Sequence, residues 1–216
     1  MKFINAFALS LFLAFGAHAQ TNDTSNLWSV DSANSRVNFV SIKKDNIAET
    51  HVFNDVSGSI NNGNASITIK PDSIDSRVPI RNERMREFLF ETGVYPTIEV
   101  NAKVNTIMAE IEEGSSVISS VPATLSMHGH SKELNLSLRI SKLNADTIVV
   151  ASTESVLIVA ADYEMLEGIT KLSSLVNNLA IAETVPVNFS LQLTRNLSQC
   201  WSNNKGVEIS GTNKRH

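Results

Sequence analysis

The residues whose spacing could support chemistry are two histidines, His128 and His130. On a strand, side chains at positions i and i+2 face the same way, so this pair could bind a metal together with His51 or Glu49. However, Gly129 lies between the two histidines and favours a turn, and no group of acidic residues lies nearby in sequence. We therefore interpret them as loop histidines and predict no metal site. A metal-dependent enzyme using His128 and His130 is the alternative.

A second group of polar residues, Arg81, Asn82 and Arg84, opens a charged stretch with helical spacing. These side chains could hold a polar head group such as a quinone carbonyl or a phosphate, and the competing interpretation is a solvated helix face. The sequence contains no nucleophile elbow, Cys/His pair, phosphate loop or paired-acid motif. We therefore predict no catalytic residue, no enzymatic activity and no cofactor.

The composition indicates one globular domain. The chain has 216 residues, 42% of them hydrophobic and 19% charged, which is enough apolar material for a substantial core. A formal net charge of −4 argues against nucleic acid as a partner, because phosphate binding needs a clustered basic face. The single cysteine, Cys200, cannot form an internal disulfide, so the core alone must hold the fold.

The two ends of the chain differ from the rest. Residues 1–19 combine Lys2, an apolar run and an Ala17-His18-Ala19 pattern, which predicts a signal peptide cleaved after Ala19 and a periplasmic protein without stable membrane insertion. Residues 27–195 form the predicted domain. Residues 196–216 are rich in Asn, Ser, Lys and Gly without periodicity, which predicts a flexible polar tail.

The domain consists mainly of segments with alternating apolar and polar residues. In the last of them, Val185, Val187, Phe189, Leu191 and Leu193 share one face. Helical spacing interrupts the strands twice, at about 80–90 and at 164–180. About eight one-sided strands joined by hairpins predict an antiparallel sheet that closes into a barrel. A barrel of about eight strands is either filled by its own side chains or holds one small ligand, and periodicity alone leaves both open.

Several motifs resemble the YceI family of exported lipid-binding proteins. The segments, in order, are WSVDSANSRVNF, VSGSI, ITIKPDSIDSRVPIRNERMREFLFETGVYPTIEV, ATLSMHGHSKELNLSL and VPVNFSLQL, and they extend from Trp28 to about Thr194. The resemblance implies an all-β, lipocalin-like barrel that holds a long polyisoprenoid, such as a quinone tail, or another long-chain amphiphile. It also implies a homodimer. The chain departs from the family pattern at Val100, where an aromatic residue is usual, and this predicts a changed pocket shape.

A ligand-filled barrel places the inward aliphatic and aromatic side chains in its wall. The expected function is then that of a periplasmic carrier for a long-chain isoprenoid lipid or quinone, with that apolar small molecule as its partner. Burial of each methylene would contribute about 0.8 kcal/mol, so tight binding needs few polar contacts. The predicted ligand-contacting set is Phe39, Phe53, Phe88, Ile98, Val100, Leu125, Met127, Leu136, Leu138, Leu175, Phe189 and Leu191.

Overall fold

The computed structural model describes residues 27–104, 107 and 111–195. The predicted signal peptide, the polar tail and Cys200 therefore lie outside the described residues. Within the described part, eleven strands form one antiparallel sheet. They are β1 (Leu27–Lys43), β2 (Ile47–Phe53), β3 (Val56–Asn61), β4 (Asn64–Ile69), β5 (Ile74–Asp75), β6 (Ile98–Lys103), β7 (Ser116–Met127), β8 (His130–Asn144), β9 (Thr147–Ser152), β10 (Val156–Val159) and β11 (Thr184–Arg195).

The sheet closes because β11 pairs with β1, with Val37 opposite Phe189. Strands β2 and β3 pair with successive parts of the same edge of β1, and β9 and β10 do the same along β11. Each of these pairs thus acts as one bent strand, and the closed ring has eight positions. The predicted antiparallel barrel of about eight strands is confirmed.

Tight turns set the register of the hairpins. Asn62 and Gly63, which join β3 to β4, have φ of 46° and 73°, and His128 and Gly129, which join β7 to β8, have φ of 52° and 80°. Two-residue turns with positive φ match the twist of the flanking strands. Because a one-residue slip would move every apolar side chain to the outside, this register fixes which residues face the interior.

Among the described residues, helical segments lie at both of the predicted places between strands. The first begins at Pro79, where proline suits the opening turn, and comprises helix α1 (Pro79–Arg84) and a π-helical turn (Met85–Leu89). The second, α2 (Leu166–Ser174), is shorter than the predicted 164–180, because Asn177 and Asn178 adopt φ of 59° and 55° and end the helical path. Short 3₁₀ turns span Pro71–Ser73 and Ala160–Tyr163. None of the described helices has the length and apolar character needed to cross a membrane.

The two ends of the barrel differ. At the end where β1 starts, the side chains of Trp28, Ile148 and Leu193 are almost completely buried and pack together in the core. At the other end the chain adds the β1–β2 hairpin, α1 and the segment that follows α2. There, Lys44 donates its backbone N–H to the carbonyl of Ala180 at 3.0 Å, which joins the hairpin to the segment after α2. This end contains the opening to the interior.

Candidate functional site: the barrel cavity

The barrel encloses a cavity of about 770 Å³, within the size range of small-molecule sites. Its wall comes from the inward faces of the strands and from α1, the π-helical turn and α2. Ten residues of the predicted ligand-contacting set line it: Phe39, Phe53, Ile98, Val100, Leu125, Met127, Leu136, Leu138, Phe189 and Leu191. The side chains on this face therefore do not meet in the middle, and whether they contact a ligand stays a prediction.

Two residues of the predicted ligand-contacting set lie outside the cavity wall. Phe88 is not part of the cavity wall; its ring lies under the ammonium group of Lys171, with Nζ 5.5 Å from the ring centroid. Leu175, at the end of α2, is 37% exposed and also outside the wall. Leu89, in the π-helical turn, and Leu172, in α2, line the cavity instead.

The three predicted head-group residues separate into two roles. Arg81 and Arg84 line the cavity near its opening. Asn82 does not; its Oδ1 accepts a hydrogen bond from the backbone N–H of Ser76 at 2.8 Å, and so it fixes the turn that precedes α1. The structure thus places Asn82 in the turn before α1 and outside the cavity wall, unlike the two arginines.

The inward face of the β1–β2 hairpin changes from apolar to polar towards the opening. Successive cross-strand pairs on this face are Val37 with Phe53, Phe39 with His51, Ser41 with Glu49, and Lys43 with Ile47. Residues from all four pairs line the cavity. A wall that is otherwise almost entirely apolar thus contains one continuous polar strip, which ends at the opening.

His51 is the buried member of this strip, with 1% of its surface exposed. Its Nε2 lies 2.7 Å from Ser41 Oγ, and its ring packs against Phe39 with 4.9 Å between centroids. Nδ1 is buried and has no hydrogen-bond partner among the described residues. Burial, with a smaller effect of the nearby Arg81 guanidinium, lowers the pKa of the imidazole to about 4, so His51 is neutral near pH 7.

Glu49 links the strip to α1. Its Oε2 lies 2.8 Å from Lys43 Nζ and 3.1 Å from Arg81 Nη1. The hydrogen bond from Lys43 is the main reason that the pKa of this carboxyl is lowered, with the Arg81 charge adding to it. One carboxylate therefore engages both cations, which leaves Arg84 and Lys44 as the cavity-lining cations for which the described residues provide no ion pair.

The two histidines of the alternative enzymatic interpretation are separated by the turn. His128 contacts Glu91 through Nε2 at 2.8 Å and the Tyr163 carbonyl through Nδ1 at 3.0 Å, while His130 Nε2 lies 3.4 Å from Glu164. Each thus has its own partners. The described residues contain no group of three or more His, Cys, Asp or Glu side chains that could hold a metal ion. The geometry gives the metal-enzyme alternative no support.

Sequence reasoning missed the polar strip and the small side chains of the wall. Ser41, Glu49 and His51 break an otherwise apolar inward face, which was a readable signal once β1 and β2 are paired. Ala65 and Ala102 oppose each other on β4 and β6, and both line the cavity. Small residues at inward positions leave volume that larger side chains would fill.

Known proteins give the following matches. A family model described as a YceI-like domain matches residues 28–193. A solved structure of a polyisoprenoid-binding domain from Saccharophagus degradans, implicated in plant cell wall breakdown, is 37% identical with a TM-score of 0.76 and covers 78% of this chain and 98% of its own. BcnA from Burkholderia cenocepacia has 20% identity and a TM-score of 0.60, covers 76% and 98%, and shows a shared fold. A search of curated proteins finds no match.

Proposed function

The chain belongs to the YceI-like domain family, and from this premise we propose that it is a carrier that holds a long-chain isoprenoid lipid or quinone inside the barrel. The observation that carries the proposal is the apolar cavity of about 770 Å³ within a closed barrel. The similarity of the chain to a polyisoprenoid-binding domain supports this class of ligand. A binding protein fits these observations better than an enzyme does.

The energetics of such a site favour a hydrocarbon chain. Each buried methylene contributes about 0.8 kcal/mol, so one five-carbon prenyl unit contributes up to about 4 kcal/mol. Association and ordering of the ligand cost about 4–15 kcal/mol, which several buried prenyl units would offset. A short amphiphile would not, and this favours a long-chain ligand.

The cellular setting belongs to the same proposal. The Lys2-containing apolar leader with its Ala17-His18-Ala19 pattern supports export, with the periplasm as the site of action. The homodimer implied by family resemblance stays a prediction. Measurement of molar mass in solution by light scattering would test it, and a monomeric mass at micromolar concentration would contradict it.

Identification of the bound lipid tests the function directly. The protein is purified without detergent and extracted with organic solvent, and mass spectrometry of the extract is expected to recover an isoprenoid lipid. A cavity-filling variant, Ala102→Phe, is expected to lose the lipid, because Ala102 lines the wall. The matched control is Asn101→Phe, since Asn101 is the neighbouring residue on β6, is exposed and does not line the cavity.

The outcomes separate cleanly. Loss of lipid in Ala102→Phe with retention in Asn101→Phe supports the carrier. Equal lipid content in both variants would show that the lipid binds elsewhere. Recovery of no apolar molecule from the wild type, together with no uptake of an added polyprenyl lipid, would refute the proposal.

A further inference from the structure

We propose that His51 and Ser41 form a head-group site inside the cavity, specific for a neutral head that carries a hydrogen-bonding oxygen, such as a hydroxyl or carbonyl. This inference rests on the proposed function and adds the chemical class of the head and the orientation of the ligand. It assigns a role to residues that an apolar tail alone would leave without one.

The imidazole of His51 has one ring nitrogen without a hydrogen-bond partner among the described residues. Nδ1 of His51 is buried, has no partner in the described part of the chain, and belongs to a residue that lines the cavity. A buried polar atom without a partner carries a free-energy cost, because it has lost its hydrogen bonds to water. Hydrocarbon in the cavity would leave that cost in place, whereas an oxygen on the ligand would remove it.

The direction of the hydrogen bond between Ser41 and His51 determines whether Nδ1 donates or accepts. A neutral imidazole carries one ring proton, so Nδ1 donates when Ser41 donates to Nε2, and accepts when Nε2 donates to Ser41. A hydroxyl oxygen satisfies either arrangement because it both donates and accepts, and a carbonyl oxygen satisfies the first. Both heads are neutral.

An anionic head does not suit this position. Glu49 already engages Lys43 and Arg81, the two cations that lie nearest along the strip. Burial also holds the pKa of His51 at about 4, so the imidazole offers no positive charge. Ions are costly to bury unless they are paired, and for an anion beside His51 both Lys43 and Arg81 are already paired with Glu49.

The position of the site orients the ligand. His51 pairs with Phe39, one step inside Ser41 and Glu49 and one step outside the apolar pair of Val37 and Phe53. A head at His51 therefore lies towards the opening. The tail then extends past Phe53 towards the closed end of the barrel.

Three probes of equal chain length test the proposal: a polyprenyl alcohol, its monophosphate and the corresponding hydrocarbon. Dissociation constants are measured for each by native mass spectrometry. The wild type is expected to bind the alcohol about 3- to 10-fold more tightly than the hydrocarbon, which corresponds to about 0.7–1.4 kcal/mol and is the net effect of one hydrogen bond. The monophosphate is expected to bind more weakly than the alcohol.

The variant that tests the site combines Ser41→Ala with His51→Leu. Removing both partners avoids leaving one buried polar group alone, so folding is preserved better than in either single variant. The double variant is expected to bind alcohol and hydrocarbon equally. His51→Gln, which retains a donor and an acceptor, is expected to keep the preference, and Val52→Leu, adjacent but outside the cavity wall, to change nothing.

Each outcome has one meaning. Equal binding of alcohol and hydrocarbon by the wild type, or tighter binding of the monophosphate, would overturn the head-group assignment while leaving the carrier intact. A preference for the alcohol that persists in the double variant would also overturn it. If the wild type binds none of the three probes, the proposed function itself fails.

Discussion

Mild acid is expected to destabilise the fold through His51. The pKa of this imidazole is about 4 in the folded protein and 6.5 in its reference state, so the unfolded chain binds a proton over a pH range where the folded chain does not. Stability rises with pH wherever the unfolded state binds more protons than the folded state, so it decreases here as the pH is lowered. The contribution of His51 is therefore complete above about pH 6.5 and is lost progressively as the pH falls towards 4.

The magnitude follows from the size of the shift. One pKa unit corresponds to about 1.4 kcal/mol, so the shift bounds the total loss at about 3 kcal/mol. Between about pH 7 and pH 5 the expected loss is about 2 kcal/mol. Glu49 does not confound this range, because its lowered pKa places its own loss of stability below its reference value of 4.5.

Urea unfolding at a series of pH values measures the effect. The free energy of unfolding is compared between the wild type and His51→Gln, which cannot take up a proton near neutral pH. The other histidines and the carboxylates are present in both proteins, so their titration cancels in the difference. The advantage of the wild type over the variant should shrink by about 2 kcal/mol on going from about pH 7 to pH 5.

A constant difference across this range would refute the reasoning, because it would mean that His51 takes up its proton equally readily in both states. Such a result would imply that water reaches the imidazole freely in the folded protein. It would thereby also weaken the case for a buried head-group site, although the tail-binding cavity would be unaffected.

Three further perturbations have expected outcomes. Gly168→Ala should lower the melting temperature, because the added Cβ would overlap the carbonyl oxygen of Phe88. This overlap should outweigh the helix propensity of Ala, which exceeds that of Gly by about 1 kcal/mol. A higher melting temperature would contradict the close packing. Glu49→Gln should improve binding of a polyprenyl monophosphate by about tenfold, since Lys43 and Arg81 would lose their shared carboxylate and could pair with the phosphate. Unchanged binding would show that these two cations are not accessible to the ligand. Alanine at His128 and His130 together should leave the zinc content unchanged by elemental analysis, because each contacts separate partners; a loss of zinc would revive the metal site.

The barrel was predictable because alternation is a local signal. On β6, Ile98, Val100 and Ala102 face the cavity as their spacing requires, and the turn at Asn62 and Gly63 marks a hairpin in the sequence itself. A strand that is one-sided for its whole length must bury that side, and closure is the arrangement that leaves no edge exposed. The alternation of apolar and polar residues and the turn motifs are therefore enough to predict the fold class, without knowledge of individual side-chain contacts.

Helix ends were less predictable, since apolar periodicity continues past them. Leu172, Val176 and Leu179 keep helical spacing and all line the cavity, yet α2 ends at Ser174. The positive φ values of Asn177 and Asn178 turn the chain so that the later side chains reach the wall from a non-helical segment. Spacing thus identified residues that face the interior, but not the conformation that brings them there.

The head-group site depended on pairing across a hairpin, and here the sequence held more information than was used. Once the turn at residues 44–46 is placed, Ser41 must oppose Glu49, and His51 must lie on the same face one pair further in. One ring nitrogen of this histidine then forms a hydrogen bond with the serine. The other ring nitrogen has no hydrogen-bond partner among the described residues of the wall. In a barrel filled by its own side chains, that nitrogen would be a defect without compensation. In a barrel that holds a ligand, the same nitrogen can bind the oxygen of the ligand's head group. His51, a polar residue in an apolar wall, would then determine which head groups the cavity accepts.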